Sequence, residues 1–276
     1  MEQKLNSLAQ SHYENFPVGS FLLPRELRRP IRLIYAFARV ADDLADEGAD
    51  AEETRLRKLD EWEGELNGAL GGGGGSSFFT ELAQVITSNS IPSSLFSDLI
   101  EAFRMDARGA TYETFDMVEF YCRHSANPIG RILLHLLGSA KRELFVYSDA
   151  ICTALQLTNF WQDLSVDIER NRVYIPSEDL ARFGLTLEDL RQNAGTGKLP
   201  HLLKYQVDRT RNFFLKGMPL LRLIDRRFAL ELRMTVNGGL KILEKIEAQN
   251  YDILRRRPSI STLDRALLLG RSLLIR

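Results

Sequence analysis

Apolar residues recur at three- and four-residue intervals along most of the chain, and convincing runs of alternating β-branched residues are scarce. The pattern predicts an all-α protein. Pro24 and Pro30 punctuate a start, after which Ile31 to Glu47 reads as a helix closed by Gly48, a residue type that ends helices at little conformational cost. Further helices are expected at about 51–70, 79–88, 92–108, 115–122, 128–137, 148–170, 199–223, 226–254 and 262–274. Gly71 to Gly75, followed by Ser76 and Ser77, is a flexible connection with no Lys-Ser/Thr ending that would cradle phosphate. Arg172 to Gly197 is a mixed connection containing Pro176 and a short helix starting near Thr186. No internal repeat is evident, so one helical domain over residues 1–276 is the simplest assembly.

At 276 residues the chain is long enough to bury a sizeable core, and 44% hydrophobic against 26% charged residues excludes wholesale disorder. A formal charge of −1 gives no bulk attraction to nucleic acid, and none is expected as a partner. Charge is nevertheless uneven: residues 204–276 carry 16 basic and 7 acidic residues, which leaves the preceding part acidic. Basic helices packing beside acidic ones explain this asymmetry, and an anionic membrane surface or ligand is the alternative. Cys122 and Cys152 cannot make a disulfide framework, nor do they give zinc-ligand spacing with the four histidines. A reducing, cytoplasmic setting is expected. The N-terminus has no basic start followed by an apolar run, and no long uncharged apolar stretch occurs, so neither secretion nor membrane spanning is expected.

The informative chemistry lies in two polar stripes. In Tyr35-Ala-Phe-Ala-Arg39-Val-Ala-Asp42-Asp43-Leu-Ala-Asp46-Glu47, a turn of about 100° per residue puts Tyr35, Arg39, Asp42 and Asp46 in one sector of a helix. Asp42/Asp46 and Asp43/Glu47 are like-charge pairs four apart, each unfavourable by about 0.2–0.5 kcal/mol. These carboxylates also sit near the helix C-terminus, where the backbone dipole is already negative. Local helix stability opposes the arrangement. Gln156, Asn159, Asp163 and Asp167 repeat it on a second long helix, again with the acids late. One such stripe alone is explained as well by a solvated face as by a ligand site. Two of them on separate helices suit a divalent cation, because Mg²⁺ prefers oxygen ligands and joins a few carboxylates to substrate phosphates. A di-iron carboxylate site would need Glu-x-x-His pairs, and none of His12, His124, His135 or His201 has Glu three residues before it.

Taken together, Tyr35-Ala-Phe-Ala-Arg39 with Asp42-Asp43-Leu-Ala-Asp46, then Tyr121-Cys122, then Gln156-Leu-Thr-Asn159 with Asp163 and Asp167, then Arg172-Val-Tyr174-Ile-Pro176 resemble the squalene/phytoene synthase family. The resemblance covers most of the chain. It implies a single all-α isoprenoid-synthase bundle around a deep apolar cavity, with Mg²⁺ at its mouth held by Asp42, Asp46, Asp163 and Asp167. Finer details resemble the branch that makes hydroxysqualene from presqualene diphosphate: His12-Tyr-Glu-Asn-Phe16-Pro17, Tyr121-Cys-Arg-His-Ser-Ala-Asn127-Pro128-Ile-Gly130, and Asn159-Phe-Trp-Gln162-Asp163. Relatives that make presqualene diphosphate or phytoene usually have Ala-Gly where Ala126-Asn127 stands, and Asn-Ile-Leu-Arg-Asp where Asn159 to Asp163 stands. Gln162 thus replaces a cation beside the second acidic motif.

The activity implied is loss of diphosphate from presqualene diphosphate, rearrangement of its cyclopropylcarbinyl cation, and capture by water. Arg39, one turn before Asp42, would add charge-assisted hydrogen bonds to the diphosphate, with a salt bridge to Asp42 or Asp43 as its ordinary role. Tyr35, Asn159 and Tyr251 are the remaining substrate-binding candidates. Asn127 and Gln162, and also Asn159, are candidates for positioning the water, although Gln162 also suits a plain hydrogen bond to backbone. Phe37, Phe120, Phe160, Trp161 and Phe213 or Phe214 are candidate cavity liners, each more ordinarily explained as core. Arg255 to Arg257 suits a diphosphate, an acidic lipid surface or plain solvation, and 263–275 suits a weak interfacial helix. The expected partners are an isoprenoid diphosphate substrate, a membrane surface contacted peripherally, and other squalene-pathway enzymes to which product is handed over. Two other readings stay open: condensation of two farnesyl diphosphates to presqualene diphosphate, or on to squalene with NADPH, and a catalytically silent lipid-binding subunit.

Overall fold

Buried Ile31, Ile34, Phe37, Ala41 and Ala45 fall at helical spacing along one side of the first helix, with Tyr35, Arg39, Asp42 and Asp46 half-buried between them. That helix, α1, runs Arg25–Asp46 in the computed structural model, which describes residues 24–46, 50–192, 197–262 and 264. It is followed by α2 Glu52–Leu70, α3 Ser77–Ser88, α4 Ser94–Ala107, α5 Phe115–Ser125, α6 Asn127–Leu136, α7 Arg142–Glu169, α8 Ser177–Arg182, α9 Leu187–Arg191, α10 Leu199–Gly217, α11 Leu220–Leu223 and α12 Arg226–Ala248. No strand occurs among the described residues, so the all-α expectation holds. No helix among them is long and apolar enough to cross a membrane. The His12–Pro17 motif, Glu47, Gly48 and almost all of the expected 262–274 helix, including the proposed interfacial stretch, lie outside the described residues.

The chain divides into two compact units: 1–108 with 128–145, and 109–127 with 146–276. In the first, α1 packs against α2, α3 and α4 around an aromatic cluster. Phe37 meets the Trp62 and Phe96 rings at 5.8 and 5.3 Å, Trp62 meets Phe79 at 4.6 Å, and the Trp62 indole N–H donates to the Phe37 carbonyl at 3.3 Å. In the second unit, two glycines set the spacing of the helices. A Cβ on Gly217 of α10 would lie 2.4 Å from Ile151 Cγ1 and 2.9 Å from the Tyr147 carbonyl of α7. One on Gly239 of α12 would lie 2.7 Å from the Phe214 ring. Close backbone approach therefore requires glycine at 217, and at 239 the Phe214 ring and the Leu155 side chain occupy the space that a Cβ would take.

Several helix limits differ from the sequence expectation, and in each case the backbone chemistry gives the reason. Helix α1 starts right after Pro24 and carries Pro30 inside its second turn, where burial of Ile31 and Ile34 and an Arg29–Glu81 ion pair at 2.5 Å to α3 offset the lost N–H. Helix α7 begins six residues earlier than Ser148, extended by buried Leu144 and by Phe145 stacking on His135. The single helix expected over 199–223 is broken at Met218, because Pro219 cannot donate and instead opens α11. Helix α12 stops at Ala248, and Asn250 and Tyr251 follow with φ of +51° and +61°. The expected short helix near Thr186 is α9, started by a reciprocal Thr186–Asp189 capping box.

Candidate active site

The first acidic stripe carries its own counter-ion. Arg39 lies one turn before the acids, and its guanidinium reaches Asp42 Oδ2 at 2.9 Å and Asp43 Oδ1 at 2.7 Å. This matches the ordinary salt-bridge role considered for Arg39, and it offsets the like-charge repulsion that makes the segment a poor helix. Tyr35 and Asp46 share the half-buried face. The carboxylate oxygens here are the hard donors that a small dication takes.

The second stripe is built differently. Leu157, Phe160, Trp161 and Leu164 anchor one side of α7 in the core, leaving Gln156, Asn159, Gln162, Asp163 and Asp167 half-buried on the other. Trp161 is fixed by its indole N–H donating to Thr210 at 2.8 Å. Phe160 lies flat on Tyr174 at 3.8 Å, and Tyr112 and Tyr121 close the aromatic cluster around that pair. The Arg172-Val-Tyr-Ile-Pro segment is thus an anchor beside the stripe, reinforced by Ser177 N–H donating to the Tyr112 carbonyl at 2.9 Å. Asp163 is ion-paired with Arg257, and the neighbouring Gln162 amide donates to the Pro258 carbonyl at 2.9 Å. Gln162 therefore bonds backbone, as its alternative role anticipated.

Asn127 is buried at the start of α6, where its Oδ1 accepts the Thr153 hydroxyl of α7 at 3.0 Å. Thr153 lies nine residues before Gln162 on the same helix, which is about 13 Å along the axis. The two candidate water-positioning residues therefore meet α7 at different levels. Tyr251 follows α12 in a left-handed conformation that is costly for a bulky residue, with its N–H donating to Ile246 at 2.9 Å. Burial, with the nearby Glu247 carboxylate adding to it, raises the Tyr251 phenol above its ordinary value, so this hydroxyl stays a proton donor through neutral pH. Among the aromatic candidates, Phe37, Trp161, Phe160 and Phe214 are core, whereas Phe120 is exposed under the Arg123 guanidinium.

Among the described residues no three His, Cys, Asp or Glu side chains are gathered as a metal cluster. Asp42 and Asp46 belong to the first unit, Asp163 and Asp167 to the second. From the sequence, the run Arg255 to Arg257 suits a diphosphate, an acidic lipid surface or plain solvation, and the pairing with Asp163 is none of these. No local signal could have found it, since 94 residues separate Arg257 from Asp163.

An all-helical chain with two aspartate-bearing helix faces defines the class, and the comparisons agree. The sequence matches the squalene/phytoene synthase family over residues 9–264, and the protein belongs to that family. It is an enzyme family acting on prenyl diphosphates. The chain is 37% identical to the hydroxysqualene synthase of Rhodopseudomonas palustris over 239 residues, covering 86% of this chain and 80% of that one. It is 31% identical to the 15-cis-phytoene synthase of Synechocystis sp. over 263 residues, covering 90% and 77%. It spans about two thirds of the chloroplastic phytoene synthases that it also matches. Among solved structures, squalene synthase HpnC from Alicyclobacillus acidocaldarius superposes with a TM-score of 0.84 at 39% identity, covering 90% of this chain and 94% of that one. The isoprenoid-synthase fold expected from the sequence is the fold observed.

Proposed function

We propose that this protein is a hydroxysqualene synthase, working as one catalytic domain that converts presqualene diphosphate and water to hydroxysqualene and diphosphate. The observation that carries this reading is Gln162, a neutral side chain directly before Asp163 where condensing relatives usually have arginine. The 37% identity to a hydroxysqualene synthase points the same way. In this reading Asp42, Asp46, Asp163 and Asp167 hold Mg²⁺. The ion supplies Lewis-acid neutralisation of the departing diphosphate when bound.

The chain's own residues do the rest. Arg39, already oriented by Asp42 and Asp43, turns hydrogen bonds toward diphosphate oxygens, and the phenols of Tyr35 and Tyr251 donate to the same anion. The carbon–oxygen bond breaks with its electron pair leaving on diphosphate, and the resulting cation rearranges among apolar surfaces. Water adds to it and gives its proton to the departed diphosphate, with Asn159 and Asn127 as the amides that orient that water. The greasy product is consistent with peripheral membrane contact and with hand-over to other enzymes of the squalene route.

A second reading, condensation of two farnesyl diphosphates to presqualene diphosphate or squalene, is favoured by the 31% identity to a phytoene synthase over 263 residues. Incubation of the purified protein and Mg²⁺ with presqualene diphosphate or farnesyl diphosphate, with and without NADPH, separates the two by mass spectrometry of products. Hydroxysqualene from presqualene diphosphate, independent of NADPH, is the expected result. Turnover of farnesyl diphosphate alone would select the second reading, and turnover of neither would leave a silent lipid-binding subunit.

A further inference from the structure

The chain beyond α12 is fastened to the second acidic stripe at two adjacent points. Two consecutive left-handed residues, Asn250 and Tyr251, turn it out of the helix, and Ile253 is then fully buried. Arg257 reaches Asp163, while the Pro258 carbonyl accepts from Gln162 one position earlier on α7. Beyond the clasp, Lys245 pairs with Asp264 at 2.6 Å and Asp264 bonds the Ser261 N–H at 2.8 Å. The chain after α12 is therefore held at Ile253, again at Arg257 and Pro258, and a third time at Asp264.

These two middle contacts differ in kind. The Gln162 contact is a neutral hydrogen bond that no cation competes for. The Arg257 contact uses the same carboxylate that the proposed function assigns to Mg²⁺, and one oxygen set cannot fully serve both. We propose that Gln162 and Arg257 form a clasp with separable halves: Arg257 is the resident counter-ion of Asp163, displaced when a divalent cation takes that carboxylate, so that the segment loosens but stays tethered through Gln162. Gln162 is then a positioning residue for the 252–258 segment. This inference rests on the metal reading of the second stripe and adds that metal occupancy is relayed to the chain after α12.

The physical reason for a resident cation is the repulsion between Asp163 and Asp167, one turn apart near the end of α7. Arg257 relieves it before metal arrives. Because the ion pair is partly open to solvent, it competes with metal only modestly and weakens as salt rises.

The test uses the full chain without substrate. Mn²⁺ binding at low ionic strength, followed by the paramagnetic resonance signal of the unbound ion, is compared for wild type, Arg257→Gln and Arg257→Lys. Arg257→Gln should bind Mn²⁺ about two- to fivefold more tightly, Arg257→Lys should stay near wild type, and the difference should shrink in high salt. In parallel, hydrogen exchange of amides 253–260 should rise on Mn²⁺ addition in wild type, should already be high without Mn²⁺ in Gln162→Ala, and should not respond to Mn²⁺ in Arg257→Gln. Unchanged affinity in Arg257→Gln together with an unresponsive segment in wild type would overturn the clasp alone, with turnover of presqualene diphosphate still intact. No Mn²⁺ binding by any of the three proteins would overturn the clasp together with the metal reading beneath it.

Discussion

The two acidic stripes look alike in sequence and are neutralised in opposite ways. On α1 the counter-ion is Arg39, three and four residues from its partners, so a single helix supplies both charges. On α7 the counter-ion is Arg257, brought from beyond α12. The contrast teaches that a repeated motif need not mean a repeated environment. The first stripe can be assembled by local helix formation, whereas the second is complete only after α12 and the following segment have folded onto α7.

The largest expected effect falls on both stripes equally. Asp42→Asn and Asp163→Asn should each lower turnover of presqualene diphosphate by about a thousandfold, the loss of about 4 kcal/mol of charge stabilisation. Each should melt close to wild type in calorimetry, since loss of the part-exposed ion pair to Arg39 or Arg257 is offset by relief of like-charge repulsion. A large loss at one stripe only would show that the two aspartate faces do not share one reaction.

Next comes a control from the same unit as the second stripe. Asp179, buried, pairs with Arg209 at 2.6 Å and accepts from Gln206 at 2.8 Å, while Arg209 covers the Phe115 ring. Asp179→Ala leaves an uncompensated guanidinium and should cost about 3 kcal/mol of unfolding free energy, measured by urea melts. Unlike the stripe variants, it should keep full turnover well below its melting temperature. A similar cost from Asp163→Asn would mean that the second stripe is scaffold.

Smaller effects sharpen the counter-ion contrast. Arg39→Gln should destabilise by no more than about 1 kcal/mol at low salt, because the pair is part-exposed and helical. Mg²⁺ should restore that loss, a rescue visible as a rise in melting temperature. The smallest effect is on acid stability through the Arg211–Glu247 pair that ties α10 to α12. The Arg211 guanidinium holds the Glu247 carboxyl below its ordinary 4.5, so its stabilisation is full above that value and fades as pH falls through the lower folded-state value. Melts of wild type and Glu247→Gln should therefore differ near neutrality and converge in acid.

Most of the fold was legible because the apolar spacing that makes a helix is local. Where helix limits depart from that spacing, a non-local or stereochemical term decides: Pro30 tolerated inside α1, Pro219 ending α10, and left-handed Asn250 and Tyr251 ending α12. The Arg39 pairing was legible for the same local reason. The partners of Gln162 and Asn127 were not, since Pro258 and Thr153 lie 96 and 26 residues away. Both amides also turned out to be engaged with protein rather than simply lining the site.

By itself the sequence determined the helices, the two aspartate faces and the family, because each depends on residue type at three- and four-residue spacing. Only the tertiary structure decided which charge neutralises Asp163, at what level Asn127 bonds α7, and what Gln162 holds. An ion pair or hydrogen bond forms between atoms that are near in space, and nearness across some 90 residues is set by packing such as that at Gly217 and Gly239, not by any pattern along the chain.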